Sequence, residues 1–176
     1  MSIPMPTLET ARMVLRPFKS SDIDMLTALL SDPAVYEAYG RCEASKEWAE
    51  MVLAGMVSGK STYPSPAYRI AVAIESKQSG ELSGLVDVTC VNDLGELTVA
   101  MSAGARGQGI GPEVLPVLFG WLRTKTEVRL ITASTLISNK AAQRLMAKIG
   151  MKEIDRDSAM VCGKIEVQTI EYELRI

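Results

Sequence analysis

The order of apolar and polar residues along the chain predicts both helices and strands. Several segments carry apolar residues at the spacing of one helix face and are bounded by residues that begin or end helices. These segments are 20–33, 45–59, 110–122 and 138–150. We expect Ser20 or Ser21 to cap the first helix and Ser45 the second, and Gly59 and Gly150 to end the second and the last.

The same spacing predicts which side chains face the core. The predicted core-facing positions are Trp48, Met51, Val52 and Met56 in the second helix, Val114, Leu115, Val117, Leu118, Trp121 and Leu122 in the third, and Ala142, Leu145, Met146 and Ile149 in the last.

Strand-like segments fill most of the remaining chain. They are 11–18, 68–76, 81–92, 96–102, 127–136, 152–157 and 166–175. The short connections KQSG (77–80) and DLG (93–95) predict two hairpins. The element order β-α-α-β-β-β-α-β-α-β-β favours an α/β (α+β) fold, in which a mixed sheet carries helices on both faces.

Composition limits the classes of protein that this chain can belong to. Its 176 residues are 47% apolar, so we expect one globular domain spanning 1–176. A net charge of −2 does not indicate a nucleic-acid binder, and no apolar run is long enough for a membrane span. The first residues lack the pattern of a signal peptide, so we expect a cytoplasmic protein that binds neither nucleic acid nor membrane.

The chain has no histidine, and this excludes histidine-based triads and histidine-ligated metal sites. The cysteines Cys42, Cys90 and Cys162 are far apart and have no metal-type spacing, so we expect no metal site. Reduced thiols buried as small apolar side chains are the expected state of these residues.

The segment MSAGARGQGIGPEVL (101–115) carries glycines at positions 107, 109 and 111, directly before an apolar run. Glycine lets a ligand approach the backbone, and a helix start leaves N–H groups unpaired, so such a turn can hold an anion. No lysine follows these glycines, which excludes the P-loop, and their spacing does not match the dinucleotide pattern G-x-G-x-x-G. A plain glycine-rich turn and an R-x-x-G-x-G anion loop remain as alternatives.

Together with this loop, the segments 8–35, 95–115 and 139–151 resemble the GNAT superfamily of acetyl-CoA-dependent N-acetyltransferases. Arg106-Gly107-Gln108-Gly109-Ile110-Gly111 resembles motif A of that superfamily, and NKAAQRLMAKIGM (139–151) resembles motif B. The segments 8–35 and 95–115 resemble the ribosomal-protein-alanine N-acetyltransferase branch. The resemblance implies a mostly antiparallel central sheet of about six to seven strands.

The resemblance also implies a cosubstrate site for acetyl-CoA. The backbone N–H groups of residues 106–111 would hold the pyrophosphate, Val99 and Met101 on a splayed strand would face the pantetheine and thioester, and Asn139 would cap its helix or contact the cofactor. A bulky acidic residue at Gly109 or Gly111 is therefore expected to abolish CoA binding. Arg106 would lie near the phosphates or simply start the turn.

The proton-transfer groups are less closely defined by the resemblance. Glu96 falls where the ribosomal-protein branch has a strand glutamate suspected of deprotonating the amine, although its position fits a solvent-facing glutamate at the start of the strand slightly better. Asp87 and Tyr172 are alternative proton-transfer groups. The superfamily's motif B tyrosine is replaced by Met146, which we expect to be a core residue.

The predicted function is therefore acetyl transfer to a primary amine, either a protein N-terminus or a small molecule, by direct attack. A CoA-binding sensor or partner module without catalysis is the alternative, and a scaffold that binds neither substrate is a third possibility. The resemblance allows a homodimer, although no residue indicates one.

Overall fold

The computed structural model describes residues 7–36, 43–61, 67–162 and 165–176, and within these ranges the side chains outside 157–166. The strands are β1 (Leu8–Glu9), β2 (Met13–Pro17), β3 (Tyr68–Ser76), β4 (Leu82–Val91), β5 (Leu94–Met101), β6 (Leu130–Leu136), β7 (Lys152–Cys162) and β8 (Ile165–Arg175). The α-helices are α1 (Ile23–Leu30), α2 (Pro33–Tyr36), α3 (Lys46–Ser58), α4 (Ile110–Lys125) and α5 (Lys140–Lys148).

All of these strands belong to one eight-stranded sheet with the order β1-β2-β3-β4-β5-β6-β8-β7. Neighbouring strands run antiparallel, except that β5 and β6 run parallel. The predicted mixed, mostly antiparallel sheet is confirmed. The strand beyond the expected six to seven is the two-residue β1, which is too short to produce a sequence pattern.

Helices cover both faces of the sheet, as predicted, because alternate strand residues point to opposite faces. On one face, Ile70 and Val72 of β3 pack with Val114 and Leu118 of α4 and with Met146 of α5. On the other face, the core joins strand residues to α1 and α3, and it contains Ala71, Ala73, Leu85, Leu26, Leu30, Val52 and Met56.

The predicted boundaries of α3 and the last helix are confirmed. The Ser45 hydroxyl accepts a hydrogen bond from the Trp48 N–H at 3.1 Å, and Gly59 ends α3 with φ 64°. Gly150, after α5, has φ 85°. These signals are local to each helix end, so they can be recognised without the rest of the chain.

The predicted cap of the first helix is wrong. Ser20 and Ser21 lie in a short 3₁₀ turn that precedes α1, and neither makes a capping hydrogen bond. Instead, the Asp22 carboxylate accepts a hydrogen bond from the Lys19 N–H at 2.8 Å. Asp22 is 5% exposed and is also held by Arg16, so an ion pair inside the fold orients this turn.

Some predicted core positions are also wrong. Met51 and Val117 are 60% and 37% exposed, whereas Leu53 and Phe119 are buried. The second hairpin turns at Asn92-Asp93 rather than at DLG, and Asn92 adopts φ 55°. Gly95 lies inside β5, where an added Cβ would come within 2.9 Å of Val88, so this glycine serves packing rather than turning.

Cys90 is fully buried in the core on the α4 side, and burial raises the pKa of its thiol to about 12. It therefore matches the expected apolar role. Cys42 lies outside the described residues, and so does the side chain of Cys162. None of the helices in the described ranges combines the length and apolar character needed to cross a membrane.

Candidate active site

A cleft opens in the sheet where the parallel strands β5 and β6 separate. They pair only at Leu94–Leu130, Gly95–Ile131 and Glu96–Thr132. Beyond that point β5 continues beside β4 as far as Met101, while β6 continues beside β8 as far as Leu136. Beyond Glu96 and Thr132, β5 and β6 therefore do not pair with each other, and a wedge-shaped gap separates them.

A cavity of about 320 Å³ lies at this separation. Its lining includes Ala34 of α2, Glu96 and Thr98 of β5, Ser134 of β6, Asn139 before α5, and Thr169 of β8. Glu96 is exposed and stands at the last pair before the strands diverge. The predicted catalytic residue thus lies on the wall of a cleft, next to hydroxyl and amide groups.

The backbone of β5 turns alternate residues toward the cleft. The Ser102 N–H donates to the Ser83 carbonyl on the β4 side at 2.9 Å, whereas the Asp93 carbonyl accepts from Leu130 on the β6 side at 3.0 Å. The N–H and C=O groups of successive strand residues point to alternate sides. The odd-numbered residues Val99 and Met101 therefore point their N–H and C=O groups away from β4 and toward the cleft. Their orientation agrees with the predicted splayed strand.

The loop after β5 leads directly into α4. A 3₁₀ turn at Ala103–Ala105 is followed by Gly107 and Gly109, whose φ values are 75° and 73°. Gly109 is the left-handed N-cap residue of α4. In the described part of the chain, the N–H groups of residues 107–111 make no backbone hydrogen bond to the protein. This loop therefore presents unpaired donors at a helix start, where anions are favoured.

The glycines of this loop differ in their physical role. Gly107 and Gly109 have positive φ, a conformation that favours glycine. No atom lies within 4 Å of the position that a Cβ would take at Gly107. An added Cβ at Gly111 would come within 2.7 Å of Leu145 Cδ1. Gly111 therefore leaves room for the Leu145 side chain of α5, a role that its place in the motif does not reveal. The side chain of Ile110 is buried in the core, so only its backbone can face a ligand.

Arg106 connects two parts of the molecule in this structure. Its Nη2 lies 2.6 Å from Asp32 Oδ2, and its Nε donates to the Met101 carbonyl at 3.1 Å. Asp32 in turn accepts a hydrogen bond from the Ala34 N–H at 3.0 Å. The guanidinium that we expected near the phosphates thus ties the end of β5 to the α1–α2 junction.

The residues of the last helix take the predicted places. Asn139 Oδ1 accepts a hydrogen bond from the Ala142 N–H at 3.0 Å, so Asn139 caps α5 while it lines the cavity. Met146 is 5% exposed, which confirms it as a core residue. Tyr172 of β8 is also buried, and burial raises the pKa of its phenol.

Asp87 is engaged in a buried ion pair. Arg69 Nε lies 2.7 Å from Asp87 Oδ1, and Arg69 Nη2 contacts Asp87 Oδ2, so the guanidinium holds both carboxylate oxygens. The two side chains are only 11% and 7% exposed. Asp87 lies outside the lining of the cavity described above. The contacts give this carboxylate a structural role.

A cluster that sequence reasoning missed borders the glycine loop. Arg12, just before β2, contacts Glu113 of α4 through Nε at 2.7 Å and through Nη2 at 2.6 Å. Its Nη1 donates to the Gln108 carbonyl at 3.0 Å. Hydrogen bonds from Thr10 and Arg12 hold the pKa of the Glu113 carboxyl below its ordinary value. About a hundred residues separate these partners, so no local pattern could reveal the contact.

Comparison with solved structures identifies the fold. An acetyltransferase of the GNAT family from Bacillus anthracis superposes with a TM-score of 0.82 at 14% identity, covering 97% of this chain and 98% of that one. Spermidine N-acetyltransferase from Vibrio cholerae, solved with CoA and spermine, gives 0.74 at 14% identity, with 93% and 95% covered. Ribosomal-protein-S5-alanine acetyltransferase from Vibrio fischeri gives 0.75 at 16% identity, with 97% and 96% covered.

Comparison of the sequence gives the family. Among curated proteins, none matches this chain at a significant level. The family model described as the acetyltransferase (GNAT) domain matches residues 12–152, which is most of the chain. With the splayed strands and the glycine loop at the start of α4, this match shows that the chain belongs to the GNAT acetyltransferase family.

Proposed function

We propose that this protein transfers the acetyl group of acetyl-CoA to a primary amine by direct attack, within a single domain. The observation that carries the proposal is the unpaired donor loop at residues 107–111, which adjoins the wedge between β5 and β6. A phosphate-binding loop next to a strand with unpaired backbone groups suits a cosubstrate with a pyrophosphate, an amide-rich arm and a thioester. The solved spermidine acetyltransferase, which holds CoA in the same fold, gives further support.

In this proposal, each part of acetyl-CoA has its own partner in the chain. The pyrophosphate accepts hydrogen bonds from the loop N–H groups at Gly107, Gln108 and Gly109 and at the start of α4. The pantetheine lies along β5, where the backbone groups of Val99 and the N–H of Met101 face the cleft, while the Met101 carbonyl is held by Arg106 Nε. Asn139 lines the cavity opposite β5 and is available for the cofactor or the acceptor.

The acceptor amine enters the cavity beside Glu96. Its nitrogen attacks the thioester carbonyl carbon, a C–N bond forms, the C–S bond breaks, and the CoA thiolate leaves. Glu96 takes the proton from the amine, either directly or through a water molecule. Met146 cannot protonate the departing thiolate, so that proton is proposed to come from solvent.

The first experiment measures the melting temperature with and without acetyl-CoA, using ATP and NAD as controls. Ligand at about 100 times its Kd stabilises the folded state by roughly 2.7 kcal/mol, which corresponds to an increase in Tm of several degrees for a chain of this size. We expect that increase with acetyl-CoA alone. No shift, or a shift only with ATP or NAD, would contradict the proposed cosubstrate.

The Glu96→Gln variant tests the proposed base. We expect acetyl-CoA to bind as in the wild type while turnover falls by about 10²-fold or more, because general base catalysis contributes on that scale. Initial rates across a pH series provide the measurement, and Glu47→Gln on the exposed surface of α3 is the matched control. An unchanged rate at every pH would remove Glu96 from this role.

The choice of acceptor follows from an amine screen. Of the six cavity-lining residues described above, Glu96 alone is charged. This wall suits a small or N-terminal amine, so the screen includes polyamines and short peptides with a free N-terminus. If acetyl-CoA binds and no amine is acetylated, the alternative of a catalytically silent CoA-binding module is favoured.

A homodimer is a further proposal from the family resemblance, and the mass in solution tests it.

A further inference from the structure

We propose that Arg12 is a positioning residue for cosubstrate binding, because its guanidinium orients the Gln108–Gly109 peptide and neutralises Glu113 beside the glycine loop. The inference rests on the proposed function, in which that loop holds the pyrophosphate of acetyl-CoA. It assigns a role to a residue outside the loop motif and nearly a hundred positions away from it.

The contacts of Arg12 join the N-terminal segment to both the loop and α4. Nη1 donates to the Gln108 carbonyl at 3.0 Å, while Nε and Nη2 contact the same Glu113 oxygen, Oε2, at 2.7 and 2.6 Å. The Arg12 N–H also donates to Glu113 Oε1 at 2.9 Å. Three of these four contacts come from the guanidinium, and together they hold it against both the loop and α4 although the side chain is half exposed.

The contact with the Gln108 carbonyl determines where the next N–H points. In a trans peptide, the C=O of one residue and the N–H of the following residue point in opposite directions. Arg12 holds the Gln108 carbonyl on its own side, so the Gly109 N–H is directed away from Arg12. Gly107 and Gly109, on either side of Gln108, have positive φ and no side chain that restricts them. Without the contact from Arg12, the Gln108–Gly109 peptide could therefore rotate.

The contact with Glu113 concerns charge. Glu113 lies in the first turn of α4, next to the loop that would hold an anion. Its carboxylate is ionised, since the Thr10 hydroxyl and Arg12 both donate to it and lower its pKa. An unpaired carboxylate at this place would repel a pyrophosphate, and the Arg12 guanidinium balances its charge.

The experiment compares two acyl donors with each variant. Acetyl-CoA carries the pyrophosphate, whereas S-acetylpantetheine has the same thioester and arm without it. For Arg12→Ala we expect KM for acetyl-CoA to rise about tenfold, the scale of one lost hydrogen bond to a charged group, with kcat little changed. With S-acetylpantetheine, kcat/KM is expected to equal that of the wild type, because this donor does not use the loop.

The second variant and the control separate positioning from folding. Arg12→Lys keeps the charge but lacks the forked donors, so we expect a rise in KM for acetyl-CoA of about threefold. Lys77→Ala is the control. It removes an exposed ion pair between Lys77, in the connection from β3 to β4, and Glu9 of β1, and it is expected to change the kinetics with neither donor.

Three results would overturn the inference. They are an unchanged KM for acetyl-CoA in Arg12→Ala, equal losses with both donors, and a change in Lys77→Ala as large as that in Arg12→Ala. Wild-type protein that neither binds nor uses acetyl-CoA would instead contradict the proposed function, so the two failures are distinguishable.

Discussion

Replacing Gly109 by glutamate is expected to weaken acetyl-CoA binding by at least about 100-fold. The new carboxylate would stand at the N-cap of α4, among the donors that the pyrophosphate needs. Two unit charges about 4 Å apart at an effective dielectric constant near 20 interact with roughly 4 kcal/mol, which exceeds the 2.7 kcal/mol of a 100-fold loss. Isothermal titration with acetyl-CoA measures the effect.

Gly109 also has φ 73°, so a glutamate at this position carries backbone strain as well as charge. Gly150→Glu is the matched control, since Gly150 has φ 85°, lies after α5, and has no atom within 4 Å of the position of an added Cβ. It should lower the Tm by a similar amount and leave the Kd unchanged. Gly109→Asn, which tolerates positive φ and adds no charge, should bind better than Gly109→Glu. Tight binding by Gly109→Glu would show that the loop does not hold the pyrophosphate.

Removal of the Asp87 carboxylate is expected to give the largest loss of stability among these variants. Asp87→Ala would leave the Arg69 guanidinium, which is 11% exposed, without the carboxylate that holds it. Breaking a buried pair in this way costs about 3–5 kcal/mol, which corresponds to a decrease in Tm of roughly 10 °C for a chain of this size. Thermal and chemical unfolding measure the change.

The same variant separates a structural role of Asp87 from a catalytic one. The exposed α3 pair Lys46–Glu50 serves as the control, because Glu50→Ala should change stability by no more than about 0.5 kcal/mol. Replacing both partners by apolar residues, Arg69→Met with Asp87→Leu, should destabilise less than Asp87→Ala alone. If Asp87→Ala kept the wild-type Tm and lost turnover, Asp87 would be a proton-transfer group after all.

The ends of α3 and α5 and the glycine turn before α4 could be predicted because their signals are short. A serine at the N-cap of α3, a left-handed glycine after it and the glycines before α4 act on N–H and C=O groups within a few residues. Strand boundaries such as 68–76 agree with the structure for the same reason, since alternation and turn residues are local. The element order and the two GNAT-like motifs then indicated the family and the site.

The wrong predictions of core-facing positions concern residues whose surroundings come from distant parts of the chain. Met51 follows the helical spacing, but α3 turns Leu53 toward the sheet instead. Gly111 fits the anion motif, and only the folded structure shows that an added Cβ there would also come within 2.7 Å of Leu145 of α5. Spacing along the chain restricts which face a residue occupies, but it does not identify the element that packs there.

The amino-acid sequence alone was enough to establish the fold class, the family and the loop that we assign to the cosubstrate, because each rests on groups close together in the chain. The partners of the charged side chains required the folded structure. Arg12 pairs with Glu113, Arg69 with Asp87, and Arg106 with Asp32. An ion pair depends on the distance between charges in space, and only the packing of strands and helices brings such distant residues to within about 3 Å of each other.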